Sequence, residues 1–393
     1  MPDLKISELP VAINPSLDDL VLTAQNSGTS NNNITVGTFR NNLFTQLPSL
    51  TATRSAMGAD LSDTSKWNGG VLAPNGKIYG IPSSSTDILI IDPVANTATR
   101  STMGSTLTDT LKWTGGVLAP NGKIYGIPAN STDILIIDPV AGTATRSNMG
   151  ADLTGTQKWW GGVLAPNGKI YGMPRESTDI LIIDTVTNTA TRSTMGADLT
   201  GTQKWYGGVL GLNGKIYGIP NVSTDILIID TVTNIATRSN MGVSIPDFAK
   251  WNGGVLAPNG KIYGIPWSNT VYDVLIIDTV TETATTSFMG LGTITGSAKW
   301  IGGVLAPNGN IYAIPSNSAN VLIINPISNT AIRSTIGASL TDFGKWFGGV
   351  LAPNGKIYGI PQSSTNILTI TPDLNTSCNI PIETCMSAYY NKF

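Results

Sequence analysis

The side chains able to do chemistry in this sequence are few in kind. Among its 393 residues there is no histidine, which removes Ser-His-Asp and Cys-His nucleophilic sites and the common imidazole zinc sites. The aspartates recur in step: Asp87, Asp133, Asp179, Asp225 and Asp273 form one series, and Asp92, Asp138, Asp184, Asp230 and Asp278 another. A glycan-cleaving site needs one particular pair of carboxylates. Acids copied at a fixed interval are expected instead to end strands and hydrogen-bond turn amides. Gly-rich phosphate loops of the Walker or dinucleotide kind are absent, and no metal site or cofactor is implied. On these residues the chain reads as not an enzyme.

The residues that fall out of step are mostly aromatic. Seven of the nine Trp and seven of the eleven Tyr belong to a repeated pattern, whereas Trp160, Tyr206, Trp267 and Tyr272 do not. Phe347 follows a repeated Trp as Trp160 and Tyr206 do, Asn252 holds the same place in another copy, and Arg175 opens a loop equivalent to that of Trp267. Rings beside amides and hydroxyls suit sugars, whose C–H faces stack on aromatic faces while their hydroxyls take polar partners. Trp160, Tyr206, Trp267, Tyr272, Phe347, Arg175 and Asn252 are therefore the candidate ligand-binding set. The competing reading for each ring is packing against the next repeat. Phe248, Phe288 and Phe343 lie in or beside the linkers near this set.

Positioning such a set falls to the repeat itself. Trp67, Trp113, Trp159, Trp205, Trp251, Trp300 and Trp346 mark seven copies, spaced by 46 residues except for one interval of 49. A period near 45 signals a propeller or solenoid. Within one copy, G-G-V-L-A reads as a strand, P-N-G as a tight turn, K-I-Y-G-I-P as a second strand and T-D-I-L-I-I-D as a third, with T-A-T-R as the fourth. Asn-Gly between apolar runs is a hairpin signal, because the turn asks for positive φ, which Gly gives freely and Asn tolerates. The consecutive apolar residues of I-L-I-I imply a strand covered on both faces. The Gly-Gly pair suits a place where chains crowd, as around a central channel. The fold class is all-β: a seven-bladed β-propeller of four-stranded antiparallel blades.

Closure removes the exposed end faces that an open solenoid would leave. An isolated T-A-T-R at Thr51–Arg54 precedes the first full copy, so the N-terminal piece is expected to supply the outer strand of the last blade; a degenerate strand at Asn375–Asn379 is the alternative. The turns P-N-G and P-V-A-N fall at one end of every blade, and the loop after the second strand and the linker fall at the other, where the candidate set lies.

Composition narrows the partners. Of 23 basic residues, 19 are dealt out evenly by the repeat, whereas a nucleic-acid surface gathers Lys and Arg on one face, so nucleic acid is excluded. No apolar run is long enough to span a membrane and no signal peptide is read. Cys378 and Cys385 are compatible with a local disulfide or with two free thiols.

In length and strand plan, residues 51 to 372 resemble β-propeller repeats of the kelch and tachylectin type, though without the G-H and W-D pairs of WD40 repeats. Residues 1 to 48 carry Lys5–Pro10 (KISELP), Asp19–Gln25 and Ile34–Phe39, and resemble the N-terminal module of bacteriophage tail-fibre and other virion proteins. That resemblance implies a homotrimer located on the virion, attached to other phage tail or baseplate proteins through this module, with a host cell-surface glycan as the propeller's partner. The domains expected are 1–48 for attachment, 49–372 for the propeller and 373–393 as a tail. The function expected is that of a tail fibre or receptor-binding protein. A scaffold or decoration propeller that binds other particle proteins is one alternative, and a glycan-cleaving enzyme is another.

Overall fold

The structure, a computed structural model, describes residues 50–373 apart from 247, 269–272 and 293–296. Its 28 strands form seven four-stranded antiparallel sheets, one blade per copy. In blade one the inner strand is Trp67–Leu72, the second Ile78–Pro82, the third Ile88–Asp92 and the outer Thr97–Ser101. The expected N-terminal module, both cysteines and the segment Asn375–Asn379 lie outside the described residues.

The inner strand begins two residues earlier than its apolar run suggested. Trp67 pairs with Pro82 and Gly70 with Gly80, so three steps on one strand face two on the other and a β-bulge results. Gly69 absorbs it at φ +78°, a conformation that residues with a Cβ adopt only under strain. The P-N-G turn also differs from expectation in detail. Only Gly76 takes positive φ; Asn75 instead accepts the Lys77 amide through Oδ1 at 3.1 Å and donates through Nδ2 to the Tyr79 hydroxyl at 2.9 Å.

The hydrophobic core lies between blades rather than within them. One cluster joins Tyr79, Ile81 and Ile88 of blade one to Trp113, Ile124 and Leu135 of blade two, and six similar clusters complete the ring. Two glycines per blade set the spacing. A Cβ on Gly116 would stand 2.6 Å from Ile81 Cδ1 of the preceding blade, and one on Gly70 would stand 2.7 Å from Ile360 Cδ1. The preceding glycine of each pair faces its counterpart in the next blade: a Cβ on Gly69 would lie 3.4 Å from the Gly115 Cα, and so on round to Gly348 against Gly69.

Each marker Trp anchors its own blade. All seven indoles donate to a main-chain carbonyl at the start of the third strand, as Trp67 does to Asp87 at 2.7 Å. The T-A-T-R guanidinium lies against that ring in five blades, Arg100 at 5.6 Å from the Trp67 centroid for example. The first acid series partners this arginine: Arg100–Asp87 at 3.1 Å, Arg146–Asp133 at 3.3 Å, Arg192–Asp179 at 2.9 Å and Arg238–Asp225 at 3.0 Å. The second series does what its position suggested, Asp92 Oδ1 accepting the Val94 and Ala95 amides at 3.0 and 2.9 Å.

Closure uses the N-terminal strand. Thr51–Ser55 pairs with Ile367–Thr371 as the outer strand of blade seven. The Ala52 amide donates to the Ile336 carbonyl at 2.8 Å, as Ala98 does to Met57 at 2.7 Å in blade one.

Two outcomes are expected. Removing residues 1–55 should lower the thermal transition followed by circular dichroism and speed proteolysis of the ring; an unchanged transition would contradict the latch. The second concerns pH. Turn amides hold Asp92, Asp138, Asp184, Asp230 and Asp278 below the ordinary aspartate value of 3.8. The unfolded chain therefore takes up protons first, so this stabilisation is complete above that value and is lost as pH falls through the folded-state values. Melting temperature should be flat down to about pH 5 and then fall, and substituting Asn at all five positions should flatten the acid limb.

Candidate functional site

The strand register decides which residues meet at the end where the linkers run. Because Trp159 pairs with Pro174 and Trp251 with Pro266, the residue after each marker Trp and the residue after each second-strand Pro share one rim around the axis. The bulge turns the first of these toward the channel mouth, a use to which bulges are often put beside binding sites.

Five of the seven candidates come together there. Trp160 and Tyr206 stack with centroids 4.9 Å apart and ring planes 23° apart. Phe347 tilts against Trp160 at 5.7 Å, and Trp267 against Tyr206 at 6.2 Å. Trp160 belongs to blade three and Phe347 to blade seven, whose inner strands are not neighbours, so this pair reaches across the axis. The Arg175 guanidinium lies 4.7 Å from the Trp160 centroid and 5.1 Å from that of Tyr206. Its Nε donates to the Tyr206 hydroxyl at 2.9 Å, and it also donates to Gln157 Oε1. Trp160, Trp267, Phe347 and Arg175 remain partly exposed, whereas Tyr206 is buried. Burial pushes the Tyr206 phenol up, with Arg175 pulling the other way, so at neutral pH it stays a neutral donor and acceptor.

Asn252 occupies the expected rim position in blade five and is buried; Tyr272 lies outside the described residues. Phe248, Phe288 and Phe343 sit out on the linkers, 36 %, 55 % and 78 % exposed. The rings of the rim thus pack on one another, and Trp160, Trp267 and Phe347 keep part of their surface exposed. Much of the rest of the rim is polar: Asn68 and Thr114 follow their Trp, and Ser83, Asn221 and Ser316 follow their Pro, all buried, while Ile301 and Ala129 are its buried apolar members. Ser83 Oγ, Asn221 Oδ1 and Trp267 Nε1 are buried polar atoms with no hydrogen-bond partner, a state proteins seldom leave uncompensated.

Sequence reasoning missed what holds the rim. Lys66, Lys112, Lys158, Lys204, Lys250 and Lys345, each just before a marker Trp, are buried. Lys158 Nζ donates to the carbonyls of Ala129 at 2.6 Å and Ser131 at 3.0 Å in the previous blade, and to Gly155 at 2.9 Å in its own linker. Lys204 Nζ does the same to Arg175 and Gly201, each at 2.8 Å. An ammonium so placed clamps one blade's rim loop to the next blade's linker. Burial pulls the Lys158 and Lys204 ammonium pKa down to about 8, while the three carbonyl dipoles around Lys158 favour the charged form. An even spacing of lysines in the sequence reads equally well as a solvated surface, so burial was invisible there.

No family model matches the chain, and no curated protein matches it. Solved structures do. The virginiamycin B lyase of Staphylococcus aureus is 12 % identical with a TM-score of 0.63, covering 82 % of this chain and all 100 % of its own. A streptogramin B lyase is 14 % identical at a TM-score of 0.62, over 82 % of this chain and 97 % of its own. A structure titled hydrazine synthase, from Kuenenia stuttgartiensis, is 15 % identical at 0.57, over 79 % and 96 %. These likenesses show the ring fold. They also correct the expectation that the chain is not an enzyme: rings of this shape include lyases, and the missing histidine excludes particular catalytic sites rather than catalysis.

Replacing Lys158 by Met should leave the Ser131 and Gly155 carbonyls without a donor, Ala129 keeping the Lys158 main-chain amide, and destabilise the ring by about 2 kcal/mol, read by denaturant unfolding. A value near zero would show that the clamp contributes nothing net.

Proposed function

We propose that the protein is a recognition protein whose ring presents the linker-end mouth to a saccharide on a cell surface. The observation that carries this reading is the convergence of Trp160, Tyr206, Trp267 and Phe347, drawn from four blades, with Arg175 among them. Partly exposed ring faces and edges offer stacking area for sugar C–H faces. Arg175, which stays partly exposed, offers a partner for sugar hydroxyls. These rings interrupt a repeat that is otherwise nearly uniform, and they do so at one end only.

The finer reading is a tail fibre or receptor-binding protein of a phage particle, adsorbing to a host-surface glycan. Its support is the resemblance of Lys5–Pro10, Asp19–Gln25 and Ile34–Phe39 to virion attachment modules, which also implies the homotrimer and the tail or baseplate partner. A second reading, favoured by the lyase neighbours, has the ring act chemically on what it binds. One of those neighbours was solved as a catalytically inactive histidine-to-alanine form with quinupristin; this chain contains no histidine, so its chemistry would run through other side chains.

The test is binding of the full chain to an array of bacterial surface glycans and to whole cells, with Trp160→Ala and Trp267→Ala alongside and with chemical analysis of the recovered glycan. Specific binding weakened about tenfold or more in either variant is the expected result. Equal binding in all three proteins would remove the mouth as the site, and no binding to any surface would shift the reading to a protein partner. Cleaved or rearranged glycan would favour the catalytic reading.

A further inference from the structure

Each blade gives the rim two positions, the residue after its marker Trp and the residue after its second-strand Pro. Across all seven blades these positions hold a single charged side chain, Arg175, and no carboxylate. Its equivalents Ser83, Ala129, Asn221 and Ser316 are short and buried. Within residues 50–373 every other Lys and Arg belongs to one of the three repeated series, before the Trp, after the Asn-Gly or in T-A-T-R. Arg175 is therefore a cation that the scaffold does not call for, and it stands in the one place where the copies differ.

The guanidinium is held in place by the chain itself. The centroids of Trp160 and Tyr206 lie 4.7 and 5.1 Å from its Cζ. Nε donates to the Tyr206 hydroxyl at 2.9 Å and Nη1 to Gln157 Oε1, whereas Nη2 donates to no group among the described residues. Nor is Nη2 sealed off. The Nε of Arg54, Arg100, Arg146, Arg192 and Arg238 is buried without a partner, but no nitrogen of Arg175 is, and 12 % of its side chain stays open. The nearest counter-charge is displaced. Glu176 Oε1 comes only to 3.8 Å from the Nε that already serves Tyr206, accepts the Gln203 main-chain amide at 3.2 Å, and also faces the Lys204 ammonium. The mouth thus keeps a positive centre with unused N–H groups, set among ring faces that lower the local dielectric and strengthen its pull on an anion.

We propose that the saccharide taken at this mouth is an acidic one, a sugar whose carboxylate is received by Arg175 while its C–H face stacks on the partly exposed rings beside it. The proposal rests on the saccharide reading of the mouth and narrows it to a class. A guanidinium held flat presents its N–H groups in the plane in which a carboxylate presents its two oxygens. A neutral sugar would leave that charge uncompensated in a mouth whose other rim positions are all uncharged.

The experiment presents bacterial surface polysaccharides in pairs, native and with their sugar carboxyls reduced to primary alcohols, and titrates the full chain against both members of each pair. Expected is binding confined to carboxylate-bearing polysaccharides and weakened about tenfold or more by reduction. In Arg175→Gln the ratio of native to reduced affinity should fall toward one, and Arg175→Lys, which keeps the charge without the fork, should hold an intermediate ratio. A purely structural role for Arg175 would lower both affinities and leave their ratio in place. Neutral or phosphate-bearing polysaccharides bound as tightly as acidic ones, reduction without effect, or an undiminished ratio in Arg175→Gln would overturn the proposal. If such binding still falls in Trp160→Ala, the saccharide reading of the mouth stands without it; no binding to any polysaccharide removes both.

Discussion

Between the second inner-strand glycine of each blade and the side chain of the preceding blade there is no room for a methyl group. Ile360, Ile81, Ile127, Met173, Ile219, Ile265 and Ile314 each reach into the place where a Cβ would stand. Everything else in the ring follows from that contact. It sets how closely neighbouring blades approach, so the apolar clusters form between blades and each blade depends on two others. The adjoining glycine of each pair, at positive φ, supplies the bulge. The bulge then turns the next rim residue toward the axis, so one packing constraint yields both the scaffold and the presentation of the mouth.

A ring built this way divides its residues sharply. Trp, Lys, Asp and Arg of the repeat form an internal polar and aromatic lattice: the indole bonded to a carbonyl, the ammonium clamping two blades, the guanidinium against the ring with its acid. Most groups of this lattice find partners, which allows charged side chains to be buried, although the Nε of Arg54, Arg100, Arg146, Arg192 and Arg238 is buried without one. Rim and loop side chains carry less of this duty, though Thr114 and Asn221 each donate to the carbonyl of the next blade's marker Trp. They can vary from copy to copy without loosening the blades, and the aromatic cluster occupies that tolerant layer.

The reading of the chemistry needed revision in one respect. Lack of histidine and the repetition of the acids argued for a chain that is not an enzyme, yet rings of the same shape include lyases. Absence of the best-known catalytic groups constrains mechanism, whereas a fold with a mouth lined by rings, an arginine and buried polar atoms accommodates either binding or turnover. The attachment module and the cysteines fall outside the described residues, and their reading rests on sequence alone.

The sequence by itself determined the blade count, the four strands per blade, the Asn-Gly hairpins and the end at which the copies differ, because each follows from local period, turn chemistry and apolar patterning. It also pointed to the N-terminal strand as the closing element, since Thr51–Arg54 had no other blade to join. Tertiary structure alone decided that six of the marker lysines are buried rather than a solvated series, five of them bonded to carbonyls of the preceding blade, because nothing local announces those partners. The meeting of Trp160 with Phe347 was equally invisible: the two residues lie 187 positions apart in the chain and touch only because closure of the ring brings blade three and blade seven to opposite sides of one narrow mouth.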